Sequence, residues 1–401
     1  MKITRRMADW LESHWVAPAY SGWLLGGVSI FFFMAATNTM AGWLYVLSGI
    51  GLALLAIAAI LPERMVRHLQ IQRCPIHPVS AGDVLTIEVL IENRSQHSKT
   101  LLQVRDLLPH VLGQPVVTSI EQIAPHDSYR WIYTQPTSRR GIYRWQSLQV
   151  RTAAPWGLFW CRRSHTVKAI AIVYPTVLPL TQCPLIDEMG RDTSLQLNSD
   201  RRSQAATEGL TRSLRPYRWG DATRFVHWRT SARYGELRVR ELEVFTGGQE
   251  LIICLDSAAS WRSSTTLAEP PEDFEQAVIA AASLYFYACH CSMSVRLWTA
   301  GTGLLQGNQG VLEALAATYP GESIRAESLP TVPLVWLTQN PASLNTLPPG
   351  SRWILWTGDQ PPEQWQSETK SALLTRSSVG IVIKPESPLQ LQLQAALGAR
   401  G

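Results

Sequence analysis

The stretch from Glu208 to Glu243 holds the side chains best equipped for chemistry. It carries Arg212, Arg215, Arg218, Arg224, Arg229, Arg233, Arg238 and Arg240 against Glu208, Asp221, Glu236, Glu241 and Glu243. Tyr217, Trp219, Phe225, Trp228 and Tyr234 are interleaved with the arginines. Guanidinium groups stack on aromatic faces and grip carboxylates through paired hydrogen bonds, so such a segment can build a planar, densely bonded surface. Three readings follow. Arginines between aromatic platforms could bind single-stranded nucleic acid. Arginines with His227 and Asp221 could hold a phosphorylated or acidic ligand. The whole set could instead be structural, with Asp221 and the glutamates neutralising buried arginines at a domain junction. Glu241 and Glu243, interspersed among the cations, weigh against a nucleic-acid face, and the structural reading carries the most weight.

Elsewhere the chemistry thins out. His227 and Asp221 could exchange protons, but no serine or cysteine is tied to them at a recognised spacing, so no catalytic set is assigned. Gly247-Gly248 precedes a strand and makes no phosphate loop. Cys289-His290-Cys291 lacks the second ligand pair that a zinc site needs, and these cysteines are expected to be buried free thiols. No cofactor is expected. The net charge of +5 is spread along the chain, and attraction to anionic lipid accounts for part of it without nucleic acid.

The elements that must position this segment begin with two apolar stretches. Tyr20 to Ala36 and Ala41 to Leu61 contain no charged residue. The second is long enough to cross a hydrocarbon core of about 30 Å as a helix, and the first reaches that length with help from its flank. Neither shows the polar face of a soluble amphipathic helix. Trp15, Tyr20, Trp23 and Trp43 stand near the ends, where amphipathic rings favour the headgroup zone. The first run ends at Thr37-Asn38-Thr39 without the small-residue pattern of a signal-peptide cleavage site. A transmembrane hairpin is therefore expected. Lys2, Arg5 and Arg6 precede it, Arg64, Arg67 and Arg73 follow it, and its connector has no cation. The positive-inside rule places both termini and the soluble portion in the cytoplasm.

From Pro75 to Pro179 the rhythm is that of strands. Leu85, Ile87, Val89 and Ile91 alternate with polar residues, and further runs fall at Leu101 to Val104, Ser128 to Thr134, Ile142 to Arg151 and Val167 to Tyr174. Short strands at this spacing predict an antiparallel β-sandwich. Pro175 to Ala206 is turn-rich and reads as a linker or mobile loop. After Gly248 strands alternate with helices. Strands are expected at Leu251 to Leu255, Ser294 to Trp298, Leu334 to Leu337, Trp353 to Trp356 and Val379 to Ile383, with helices at Pro271 to Ala288 and Gly310 to Thr318. That alternation implies a mostly parallel sheet covered on both faces. The organisation is thus a hairpin over 1–68, a sandwich over 69–180, a linker and the arginine-rich segment over 181–248, and an α/β domain over 249–401.

Within the arginine-rich segment, Leu214-Arg215-Pro216-Tyr217-Arg218-Trp219-Gly220-Asp221, Arg224, His227-Trp228, Ser231-Ala232-Arg233 and Glu236-Leu237 closely resemble the signature of the bacterial "domain of unknown function 58" family. Val226 stands where the family usually has isoleucine. Arg140-Gly141-Ile142-Tyr143, Pro155-Trp156-Gly157-Leu158-Phe159 and Tyr174-Pro175 are similar to further family stretches, with Ala154 in place of an aspartate and Trp156 in place of a phenylalanine. Two spans before a sandwich also fit the family's plan.

The resemblance implies a von Willebrand factor A-like doubly wound sheet and a partnership with a MoxR-type AAA+ ATPase at the membrane, without an established enzymatic activity. Arg215, Tyr217, Gly220, Asp221, Arg224, His227, Trp228, Ser231, Arg233 and Glu236 are its signature residues. Such modules can hold a divalent cation through a D-x-S-x-S motif, here Asp256-Ser257-Ala258-Ala259-Ser260. Asp256 and Ser260 are retained, Ala258 replaces a ligating serine, and the later Thr-Asp reads Thr338-Gln339. Tight Mg²⁺ binding is therefore not expected, and Asp256 is expected to cap a helix or turn. The sequence favours a non-enzymatic assembly factor, with a ligand-binding site or enzyme at the signature, or a structural envelope protein, as alternatives.

Overall fold

Alternation in the sequence becomes alternation of burial. In the computed structural model, which describes residues 10–189, 210–217, 226–243, 250–261, 271–324, 332–357 and 379–395, every second side chain from Leu85 to Ile91 is buried. The chain divides into two compact units, Met1–Pro175 and Thr176–Gly401.

The first unit opens with a short strand, β1 (Ala17–Pro18), and two long helices, α1 (Tyr20–Thr39) and α2 (Gly42–Val66). Both helices are long and apolar enough to cross a membrane. Small residues let them approach closely. Ser48 Oγ donates to the Ser29 carbonyl at 2.8 Å, and a Cβ on Gly51 would collide with the Ser29 hydroxyl. Most of the remaining apolar surface, including Trp23, Phe31, Met34, Trp43 and Ile50, is exposed.

Eight strands follow: β2 (Leu69–Arg73), β3 (Val79–Ser80), β4 (Val84–Asn93), β5 (Lys99–Asp106), β6 (Val116–Ile123), β7 (Ser128–Pro136), β8 (Gly141–Thr152) and β9 (Phe159–Tyr174). One antiparallel sheet runs β2-β4-β7, and the other runs β1-β9-β8-β5-β6 with β3 paired to β9. Their inner faces share one core in which Leu85, Ile87, Val89 and Ile91 meet Val104, Leu148, Val150 and Ala171. Each of the valine, leucine and isoleucine side chains contributes about 1.5–3 kcal/mol when fully buried. This core also encloses an ion pair. Arg73 Nη2 lies 2.8 Å from Asp106 Oδ1, and neither side chain is more than 2% exposed. Tyr133 OH donates to Asp106 Oδ2 at 2.5 Å, Trp145 Nε1 donates to Oδ1 at 3.2 Å, and the guanidinium sits over the Trp145 ring.

The second unit holds an antiparallel pair, β10 (Leu210–Pro216) and β11 (Arg238–Glu243), with the short helix α3 (Trp228–Tyr234) between them in sequence. Its main sheet comprises β12 (Glu250–Leu255), β13 (Ser294–Thr299), β14 (Gly303–Leu305), β15 (Leu334–Thr338), β16 (Arg352–Trp356) and β17 (Gly380–Ile383). The order is β14-β13-β12-β15-β16-β17, parallel throughout except for β14 at one edge. The helices α4 (Glu272–His290), α5 (Asn308–Ala317) and α6 (Leu389–Gln394) pack together, and α4 lies across β12, β13 and β15. Acidic Glu272, Asp273 and Glu275 suit the positive N-terminal end of α4, while Phe274, Ala277, Val278, Ala281 and Leu284 are buried. A second apolar cluster gathers Ile252, Cys254, Trp298, Trp336, Trp353 and Leu355 with Leu347, which follows a 3-10 turn at Pro341–Thr346. Among the described residues the helices form one layer, so covering on both faces by helices is not seen.

Three expectations need correction. The start of the stretch read as a linker belongs to the second unit's core: Cys183, Leu185 and Ile186 are fully buried, and Asp187 accepts bonds from Cys183 N and Tyr287 OH. Turn-forming prolines there masked a helical turn over residues 184–189. Strands β2 and β6 were not anticipated. The expected burial of the Cys289-Cys291 pair also fails, since Cys289 is half-buried and Cys291 exposed past the end of α4, while Cys161, Cys183 and Cys254 are buried.

Candidate functional site

The signature segment is built around the β10–β11 pair. Arg215 lies opposite Val239 and Pro216 opposite Arg238, and the pairing continues as Tyr217 N donates to the Leu237 carbonyl at 2.8 Å. Val226 then bridges Val239, both buried, and His227 N donates to the Arg238 carbonyl at 2.8 Å. The chain therefore passes twice alongside β11, and α3 starts from the second pass.

His227 is the N-cap of this helix. Its Nδ1 accepts from Thr230 N at 3.2 Å and lies 2.7 Å from Thr230 Oγ1, satisfying one of the amides that a helix start leaves open. Ser231 is buried and joins helix to strand. Its hydroxyl donates to the His227 carbonyl at 3.1 Å and accepts from Arg238 N at 2.8 Å. Gly235 ends the helix in the left-handed region at φ 70°, donating to the Ser231 carbonyl. The Arg238 guanidinium covers the Tyr234 ring, 4.5 Å from its centroid, which is the arginine–aromatic stacking expected of the segment.

These polar groups are thus engaged in the fold of their own turn. Facing outward are Trp228, 66% exposed, together with Arg229, Arg233, Tyr234 and Glu236. The structure brings Tyr217, His227, Trp228, Ser231, Arg233 and Glu236 onto one small unit with the backbone of Arg215. Gly220, Asp221 and Arg224 lie outside the described residues. The capping role of His227 went unread in the sequence, because histidine is not among the residues that usually cap helix starts.

The second candidate lies at the carboxyl end of β12, between β13 and β15, where open α/β sheets bind ligands. Asp256 is buried. Its Oδ2 accepts from Thr338 Oγ1 at 2.7 Å, and its Oδ1 accepts from Ala259 N at 3.3 Å, closing the turn that follows the strand. Burial pushes the Asp256 carboxyl up, and the Thr338 and Ala259 hydrogen bonds pull it partly back. The Ser257 hydroxyl accepts from Ala300 N, and Glu322 accepts from Gly301 N and Tyr319 N. Gln339, where the cation-binding motif has a carboxylate, donates to Asp273. Ser260 is exposed and Ala258 offers no oxygen. One carboxylate with hydroxyls is too poor a set of hard donors for tight Mg²⁺ binding. No group of three histidine, cysteine or acidic residues with metal-holding geometry occurs among the described residues.

Taken together, these features define a protein with an apolar helical hairpin, an antiparallel sandwich and a parallel α/β sheet preceded by an arginine-rich hairpin. Residues 213–308, from within β10 to the start of α5, match the family described as protein of unknown function DUF58. No curated protein matches it. Among solved structures, it is similar to the CARDB domain of the PF1109 protein from Pyrococcus furiosus at 12% identity, over 25% of this chain and 86% of that one, with a TM-score of 0.18. A beta-glucosidase from Listeria innocua is similar at 13% identity over 25% of this chain and 16% of that one, with a TM-score of 0.15. Likeness at this level identifies neither fold nor function.

Proposed function

We propose that this chain is a membrane-anchored, non-enzymatic assembly factor whose signature helix docks a MoxR-type AAA+ ATPase or a client complex. The observation that carries the reading is the division of labour within α3. His227 and Ser231 hold the helix in place, and exposed Trp228, Arg229, Arg233 and Tyr234 are left to meet a partner. Tryptophan, tyrosine and arginine are the side chains that dominate binding energy at protein interfaces.

In this reading the two apolar helices cross the inner membrane. Lys2, Arg5, Arg6, Arg64 and Arg67 keep both termini and both soluble parts on the cytoplasmic side. The main sheet is a von Willebrand A-like module. Its strand order places β12 at the centre with the antiparallel strand at one edge, and Asp256 with Thr338 occupies the end where such modules meet their partners.

The test is co-purification of the full chain from solubilised membranes with the AAA+ ATPase encoded by the same genome. Recovery with the ATPase, lost in Trp228→Ala and Arg233→Glu, is expected. Recovery of the intact chain without ATPase or client would overturn the proposal.

A further inference from the structure

The loop between β8 and β9 is pinned to the first turn of α1. Ala19 N donates to the Leu158 carbonyl at 2.8 Å, and Ser21 Oγ donates to the Gly157 carbonyl at 2.7 Å. Immediately before, β1 pairs with the start of β9, Ala17 against Trp160 and Pro18 against Phe159. Gly22 completes the fit, since a Cβ there would strike the Leu158 carbonyl oxygen. The loop therefore has a fixed height along α1. Beside these contacts Trp156 is 47% exposed, in a turn closed by Gly157 N donating to the Ala153 carbonyl at 2.8 Å.

That height is set by arithmetic. The 20 residues of α1 span about 30 Å at 1.5 Å per residue, which is the thickness of the hydrocarbon core with nothing to spare. The first turn of α1 must then lie at the hydrocarbon edge, and a loop hydrogen-bonded to it lies there too. Trp15, Tyr20 and Trp23 are also exposed around this end of the helix, forming with Trp156 the kind of aromatic belt that favours the headgroup layer.

The other helix agrees. Arg163, four residues beyond Phe159, reaches Glu63 at 3.6 Å near the end of α2, and Lys99 Nζ donates to the Arg64 carbonyl at 2.7 Å. Both helix ends thus meet the same side of the sandwich.

We infer that the Pro155-Trp156-Gly157-Leu158 loop is a membrane-contact site, with Trp156 seated in the lipid headgroup layer, so that the sandwich rests on the bilayer. The inference rests on the membrane reading of α1 and α2. An aromatic at this position serves the bilayer because its ring is amphipathic, apolar at the body and a donor at Nε1.

The experiment uses the full chain in phosphatidylcholine–phosphatidylglycerol vesicles, with exposed Cys291 replaced by serine. Spin labels are placed singly at Trp156→Cys, Phe31→Cys and Ile170→Cys, the last far along β9. Collision with oxygen and with a water-soluble nickel chelate is measured at each, and the signal of the Cys291→Ser protein without an added cysteine is subtracted. The label at 156 is expected to collide with nickel at least threefold less than the label at 170. Equal nickel access at 156 and 170, with 31 shielded, overturns the inference and leaves the membrane hairpin standing. Nickel access at 31 overturns both. A second measurement needs no substitution: hydroxyl-radical oxidation of the unmodified protein in vesicles should spare Trp156 and mark Trp228. Oxidation of Trp156 to the same extent as Trp228 would refute the inference.

Discussion

Asp106 and Arg73 face each other 2.8 Å apart in the middle of the sandwich, where two apolar sheets would ordinarily exclude both. The carboxylate is saturated by Arg73, Tyr133 and Trp145, and the Tyr133 hydroxyl is held protonated far above the usual phenol range, chiefly by burial and then by the adjacent negative charge. Arg73 Nε and Nη1 have no hydrogen-bond acceptor among the described residues, so the cation leans on Asp106 and on the Trp145 ring.

Removing one partner of this pair is expected to cost far more than its net worth. Asp106→Asn strands a buried guanidinium and should destabilise the sandwich by about 3–5 kcal/mol. Replacing both, as Arg73→Met with Asp106→Leu, should recover most of that loss. Thermal unfolding of the detergent-solubilised chain, followed by near-ultraviolet dichroism, compares them. A double variant no better than Asp106→Asn would contradict this account.

The cap on α3 allows a separation of shape from charge. His227→Asn keeps a side-chain acceptor at the N-cap and should leave the β10–β11 unit nearly unchanged, whereas His227→Ala should cost about 1 kcal/mol. Ser231→Ala should cost about 1–3 kcal/mol, because Arg238 N loses its acceptor. Hydrogen exchange at the Thr230 and Arg238 amides reads each effect locally. Protection unchanged by both alanine variants would remove the structural role assigned to these residues.

Asp256 should make the second unit sensitive to pH in a defined sense. Its folded carboxyl sits above the ordinary carboxylate value of about 3.9, so the ionised group penalises the folded state. The contribution to stability is fully present below about pH 4 and is lost as pH rises through the folded value. Asp256→Asn should therefore raise the Tm of the full chain at pH 7, and the gain should vanish at pH 4. Calorimetry with Mg²⁺ on the same proteins should give no micromolar binding. Micromolar Mg²⁺ binding abolished by Asp256→Asn would overturn the donor-set argument.

Much of this architecture was legible in the residues, and the exceptions have physical reasons. Strand β4 was readable because each of its faces meets a different medium, giving a strict period of two. Strand β6 was not, since it lies at a sheet edge and buries only Ile120 and Ile123 among Thr118, Ser119, Glu121 and Gln122. Strand β2 was hidden by its position directly after α2. Arg73 was counted as a flanking cation, although its partner Asp106 is 33 residues away and no local pattern joins them. The same holds at the candidate sites. Ala258 was readable as a missing ligand, but the closure of Thr338 onto Asp256 spans 82 residues and needs the sheet to exist.

Only Arg67 and His68 separate α2 from β2, and Lys99 ties the sandwich to the last turn of the helix. The joint has no slack. A hinge at this point would let the sandwich swivel while the helices stayed still; the observed joint makes them one lever. A force pulling on the sandwich would reach the helices as tilt, and a tilt of the helices would return along the same path as torque.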